Sequence, residues 1–266
     1  MTEPAPGPTA LDDRFADGLD VSVWTTSYLP AWSSRAASAA TWSVDREGLH
    51  LSIPADQPLW CPDLHEGALR VSAVQSGNWS GPLGSSQGQQ PFREGLVVQE
   101  EQPAQWGCAP CYARVEVECR AVLDDSSMFS VWMVGLEDQP DRSGEICVVE
   151  VFGDTVRDGG VALGSGLHRF REARLSEEFS AERTALDVAE RHRYGVEWRL
   201  GGVDFLLDGR RHRTTAQAPT YPMQLILGVL DFPDRARRGQ PRTAAPELVV
   251  SHVLVEPLPD EEDQRR

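Results

Sequence analysis

Short runs in which apolar and polar residues alternate recur along this chain, each ended by Gly, Pro, Asp or Ser. Side chains on a strand alternate between its two faces, so such runs read as half-buried strands. Gly48–Ile53, Leu69–Val74 and Val115–Ala121 carry the pattern. Met128–Val134 is almost wholly apolar, as a central strand covered on both faces would be. Val203–Leu207 and Arg210–Thr215 flank Asp208-Gly209, a two-residue turn signal, since both turn residues must tolerate positive φ. Tyr194–Trp198, Met223–Leu230 and Leu248–Val255 add later strands. Helical periodicity is scarce, and Ala181–Arg191 is the one stretch expected to hold a turn or two of helix. The predicted fold is all-β, an antiparallel β-sandwich.

All-β sandwiches of this length, 266 residues, form one domain. The Pro-rich residues 1–10 and the charged residues 259–266 cannot bury enough apolar surface to order themselves, which leaves 11–258 as the folded unit. No apolar run reaches the roughly 18 residues that a membrane-spanning helix needs. Met1–Ala10 lacks the basic and apolar regions of a signal peptide, so the expected location is cytoplasmic, or extracellular if a leader has been removed. A net charge of −16 argues against nucleic acid or an anionic membrane as partner, since both attract basic surfaces. A neutral polysaccharide is compatible with it, and a monomer is expected.

Five cysteines, Cys61, Cys108, Cys111, Cys119 and Cys147, form an odd and scattered set that fits reduced thiols better than a disulfide framework. Cys108-Ala-Pro-Cys111 has the spacing of half a zinc site or a redox pair. No second ligand pair accompanies it, and Tyr112–Cys119 reads as a strand where a thioredoxin-like pair would start a helix. Two thiols in a loop is the favoured reading, and neither metal nor cofactor is expected. Asn78-Trp-Ser80 fits a glycosylation sequon, which carries little weight without a secretory route.

The segment richest in chemistry is Gly144-Glu-Ile-Cys-Val-Val-Glu-Val-Phe-Gly153. Strict alternation puts Glu145 and Cys147 on one face and Glu150 on the other. One extra residue at Val148–Val149, a β-bulge, would return Glu150 to the face of Glu145. Two carboxylates in one cleft suit glycosidic cleavage, one attacking the anomeric carbon and the other protonating the leaving oxygen. The alternative is that acidic residues alternating with Ile and Val simply mark a half-buried strand.

This segment resembles the E-x-D-x-x-E signature of glycoside hydrolase family 16, the laminarinase-like proteins of concanavalin A-like jelly-roll fold. Flanking stretches are similar to the family in the same order. They are Ala68–Gly77, Tyr112–Ala121, Phe129–Gly135, His192–Trp198 with Phe205–Gly209, and Tyr221–Leu227. The resemblance covers about residues 11–257. It implies a retaining endo-β-glycosidase or transglycosylase acting on a polysaccharide, with Glu145 as nucleophile and Glu150 as general acid/base. The central Asp of the signature, which tunes the two glutamates, is Cys147 here. A thiol is a weak donor with little charge at neutral pH. A carbohydrate-binding protein that keeps the fold without turnover is therefore the second reading, and a thiol redox protein on Cys108 and Cys111 the third.

Candidate sugar-binding residues are Trp132, on the strand expected beside the signature, Trp60 and Trp106 in loops, and His168 on the strand expected after it. His168 is equally readable as an exposed or core-satisfied histidine. Trp24, Trp42 and Trp198 are expected in the core, and Trp32 is left open.

Overall fold

A computed structural model describes residues 9–236 and 244–259. The termini expected to be disordered fall largely outside these residues. The described strands form two large antiparallel sheets. The wider sheet runs in the order β14 (Arg210–Thr215), β13 (Gly202–Leu207), β12 (His192–Arg199), β7 (Ala113–Val122), β16 (Glu247–Pro257), β3 (Gly48–Ser52) and β2 (Thr41–Asp45). Strand β1 (Leu11–Asp13) also pairs with β16. The narrower sheet runs β11 (Glu178–Thr184), β10 (Val161–His168), β9 (Glu145–Phe152), β8 (Ser127–Gly135), β15 (Met223–Asp231) and β4 (Arg70–Gln75). A small ribbon of β5 (Gly77–Asn78) and β6 (Gln105–Trp106) lies in the connection after β4. This is the antiparallel sandwich of the jelly-roll class that the alternating runs predict.

The two sheets meet through one apolar layer. Val115 and Val117 of β7, Tyr194, Val196 and Trp198 of β12, and Leu248 and Val250 of β16 face Phe129, Val131 and Met133 of β8 and Leu225, Leu227 and Val229 of β15. The other face of the narrower sheet is also covered. There Met128, Trp132 and Val134 of β8 and Ile226 and Leu230 of β15 pack beneath Leu29, Trp32, Trp60, Leu96 and Val98 from the connecting segments. Double burial explains why β8 and β15 are nearly continuous apolar runs, whereas strands of the wider sheet alternate. The turn at Asp208-Gly209 has φ of +51° and +74°, as its residue pair predicts, and Leu207 pairs with Arg210 across it.

Two expectations are corrected. Trp42 is 41% exposed, not core. It lies on β2, the edge of the wider sheet, with a strand neighbour on one side only. Ala181–Arg191 holds no helix among these residues. Ala181–Thr184 complete β11, and the rest turns into β12. Pairing with β10 supplies the backbone partners that a short isolated helix would have lacked. Trp24, Trp32 and Trp198 are each about 1% exposed or less. No helix of the described residues is long and apolar enough to cross a membrane.

The core assignment predicts a contrast in stability. Phe129→Ala, which empties a site 1% exposed against Tyr194, should lower unfolding free energy in urea by about 3–5 kcal/mol. Trp42→Ala should change it by no more than about 1 kcal/mol.

Candidate active site

Strand β9 carries the acidic segment, and its register settles which way each side chain points. Against β8, Val149 pairs with Val131 but Cys147 pairs with Trp132, so Val148 has no partner of its own. The same step appears against β10, where Glu150 pairs with Gly164 and Cys147 with Gly166. This is the β-bulge expected at Val148–Val149. Val148 and Val149 both point into the layer between the sheets. The Ser130 hydroxyl donates to the Val149 carbonyl (3.0 Å), giving that carbonyl a partner beside the disrupted ladder.

Glu145, Cys147 and Glu150 consequently share the outer face of the narrower sheet. They lie opposite Val134, Trp132 and Ser130 of β8. Val134 and Ser130 are four residues apart, about 13 Å along the strand. Cys147 sits midway, so the longer glutamate side chains can converge over a small thiol. Gly164 clears the other flank, where a Cβ would come within 2.8 Å of the Phe179 ring and 3.1 Å of the Glu150 carbonyl oxygen.

Burial dominates the electrostatics. The Glu145 carboxyl is pushed up to about 8, first by loss of water and next by the charge of Glu150. Its hydrogen-bond donor is Gln90 Nε2, at 3.2 Å from Oε2. Burial also raises Glu150, but the nearby charges of His168 and Arg235 oppose the shift. Cys147 is held well above the ordinary thiol range by burial and the flanking glutamates, so it remains a neutral thiol. Both glutamates therefore hold a proton more tightly than ordinary carboxyls.

A cavity of about 270 Å³ is lined in part by Tyr28, Trp60, His65, Gln90, Phe92 and Phe232. Glu145, Cys147, Glu150, Trp132 and His168 are not among its lining residues, and it meets the acidic segment through Gln90, which bonds Glu145. Trp60 is 4% exposed and packs on Tyr28 (5.1 Å) and Phe92 (4.8 Å), and its indole N–H donates to the Tyr28 carbonyl. Trp132 is buried beneath Tyr28, whose ring meets it edge-on at 6.2 Å, and does not itself line the cavity. His168 pairs with Glu145 across β9 and β10, stacks on Phe179, and bonds Glu177 through Nδ1 (2.5 Å). Trp106 is set apart on β6, packed beside Gly77, and lines neither this cavity nor its neighbour. That neighbour, about 420 Å³, is lined by Trp79, Gln87, Arg93 and Asp138. The two cavities share Pro91, Glu137 and Arg171, which stand as a partition between them.

Sequence reasoning missed this partition. Glu137 is 4% exposed, ion-paired with Arg171, and accepts the Gln90 backbone N–H (2.6 Å). Burial raises its carboxyl to about 7 against the opposing pull of Arg171. Gln90, Glu137 and Phe170 lie in irregular loops without periodicity, so no local signal marks them.

Cys61, Cys108, Cys119 and Cys147 are buried free thiols. Burial pushes Cys108 up to about 12, which removes the low-pKa thiolate a redox pair requires. Among the described residues no three His, Cys, Asp or Glu side chains gather as a metal site would need.

Comparison with known proteins follows the same lines. The sequence model of glycosyl hydrolases family 16 matches residues 109–243, just over half of the chain. The chain belongs to glycosyl hydrolase family 16. The GlcNAcα1-4Gal releasing endo-β-galactosidase from Clostridium perfringens superposes on this family 16 chain with a TM-score of 0.74 at 22% identity, covering 95% of the present chain. The chain spans 63% of the length of that clostridial structure. A laminarinase from Flavobacterium sp. UMI-01 gives a TM-score of 0.57 at 15% identity, covering 92% of this chain and 98% of its own. A family 16 endo-glucanase from Bacteroides ovatus gives 0.59 at 13%, covering 92% and 99%. At these identities the likeness is one of fold. No curated protein sequence matches the chain.

The raised Glu145 value predicts a pH-dependent cost. Ordinary carboxyls lose their proton near 4.5, whereas Glu145 keeps it to about 8. Between these values the folded state binds the extra proton, so stability falls as pH rises through the window. Glu145→Gln removes that titration. It should raise the melting temperature relative to the parent at pH 9, and the gain should shrink or vanish at pH 4, as followed by calorimetry.

Proposed function

We propose that this chain is a retaining endo-β-glycosidase or transglycosylase acting on a β-linked polysaccharide. The observation that carries the reading is the bulge that puts Glu145 and Glu150 on one face of the narrower sheet, with Gln90 linking Glu145 to the neighbouring aromatic-lined cavity. Glu145 is the nucleophile. Its carboxylate attacks the anomeric carbon while the bond to the leaving oxygen breaks and that oxygen takes the proton of Glu150. In the second step water, or a hydroxyl of an acceptor sugar, gives its proton to Glu150, attacks the same carbon and frees Glu145. Trp60, Trp132 and His168 contribute to holding the sugar, and the trough on both sides of Pro91 suits an extended chain. The neighbours of the same fold include proteins named as endo-β-galactosidase, laminarinase and endo-glucanase.

The reaction needs one proton on the pair, placed on Glu150 when the leaving oxygen is in position. Burial raises both carboxyls, Glu145 to about 8, which favours retention of a proton on the pair. Attack requires Glu145 ionised and Glu150 protonated. Cys147 adds no third charge that would hold this proton more tightly.

Assays of reducing-end release from β-glucans and galactans test the reading. Activity should follow a bell, falling above about pH 8 where the pair loses its last proton. Glu145→Gln should abolish turnover without unfolding the chain, and Glu150→Gln should lose most on substrates with poor leaving groups. Cys147→Asp should move the alkaline limb upward, since a third negative charge raises both neighbours. A second reading, glycan binding without turnover, is favoured by Cys147 at the centre of the site. It prevails if glycans bind and neither the parent nor Cys147→Asp cleaves them.

A further inference from the structure

We infer that Gln90 is a positioning residue of this site, holding the Glu145 carboxylate with its amide NH2 and receiving a sugar hydroxyl on its amide oxygen. The inference rests on the reading of Glu145 as nucleophile and assigns a role to a loop residue outside the acidic segment. Cys147, the neighbour of both glutamates on β9, offers only a buried thiol. Among the described residues the donor bonded to the Glu145 carboxyl is Gln90 Nε2. Once Glu145 is ionised for attack, only the NH2 side of that amide can face it.

The other end of the same amide points to a ligand. Gln90 Oε1 is buried without a hydrogen-bond partner, although Gln90 lines the cavity beside Tyr28, Trp60 and Phe92. A buried acceptor left unpaired is costly, and such groups call for a specific reason. An amide oxygen accepts only, so the group it awaits is a donor. A hydroxyl next to the anomeric carbon of the sugar attached to Glu145, the residue that Gln90 bonds, is a donor of that kind.

The backbone around Gln90 is built to hold this pose. Gln90 has φ of +44°, a left-handed conformation unfavourable for a side-chain-bearing residue. Its N–H is held by Glu137, itself paired with Arg171. The preceding Gln89 is 2% exposed, donates to the Leu136 carbonyl and accepts from the backbone of Trp79 and the indole of Trp32. Gly88 lies so close to the Trp32 ring that a Cβ would come within 2.6 Å of it. A segment fastened from both sides places the amide with little freedom, as a positioning group requires.

Gln90→Met keeps the bulk over Glu145 and removes both hydrogen-bonding atoms, so it separates positioning from burial. The Glu145 carboxyl is followed by 13C NMR titration in the parent and in Gln90→Met, and both proteins are assayed on laminarin, lichenan and β-1,4-galactan. The titration of Glu145 should move upward in the variant, because the bond from Gln90 favours the charged form. On a glycan the parent cleaves, kcat/KM should fall about a hundredfold, mostly in kcat. An unmoved titration, or kcat/KM within about twofold of the parent, overturns the inference. Glu145→Gln serves as the control on the underlying reading. If that variant still cleaves, the nucleophile assignment has failed, whereas full loss there beside an unchanged Gln90→Met means that the positioning role alone has failed. The titration decides the positioning half even where none of the three glycans is cleaved.

Discussion

The unpaired Val148 in β9 is the constraint on which the rest of the site depends. A strand that kept its alternation would bury Glu150 between the sheets, where a carboxylate without partners is not tolerated, and would leave Glu145 alone at the cleft. The bulge directs two consecutive valines inward and keeps Glu145, Cys147 and Glu150 on one face. Everything around it is consistent with that choice. The Ser130 hydroxyl meets the displaced Val149 carbonyl, and Gly164 leaves room beside Glu150. The doubly covered strands β8 and β15 make the floor rigid. Rigid packing converts a one-residue register step into a fixed separation of two side chains.

Electrostatics then divide the work between two sides of the site. Glu150 lies where His168 and Arg235 oppose the rise that burial gives its carboxyl. Glu145 is buried with Gln90 as its hydrogen-bond donor, and that bond only partly opposes the rise from burial and from the charge of Glu150. The Gln90–Phe92 segment supplies this hydrogen bond and contributes Pro91 to the partition between the two cavities. Loop residues therefore shape the cavities and join the strand neighbour Glu150 in setting the charge state of Glu145, in keeping with a scaffold whose specificity is carried by its connections.

Much of the architecture was legible in the sequence because it follows from periodicity. Met223–Leu230 and Leu248–Val255 each fall within the observed strand, and Asp208-Gly209 forms the turn that its residues require. The bulge could be anticipated because the spacing of Glu145 and Glu150 conflicts with strict alternation. Edge effects and loops were not legible. Trp42 looks like a core residue until the sheet order makes its strand an edge, and β11 is too polar to announce itself before β10 pairs with it. Trp60 could be singled out as a loop aromatic, and it does line the cleft, whereas Trp106 by the same argument lies apart from both cavities. Gln90 and Glu137 carried no local signal, since what matters about them is a contact across some fifty residues of chain.

The central claim is that Glu145 forms a bond to sugar during turnover. Incubation with activated 2-deoxy-2-fluoro glycosides of the cleaved polysaccharide's repeat, followed by proteolysis and mass spectrometry, tests it directly. The fluorine slows release of the intermediate, so a covalently held sugar should accumulate on the peptide that contains Glu145 and Glu150, and fragmentation should locate it on Glu145. The label should be absent from Glu145→Gln and retained in Glu150→Gln when the leaving group is good. A sugar found on Glu150, or turnover of these reagents with no covalent species at either glutamate, would contradict the account.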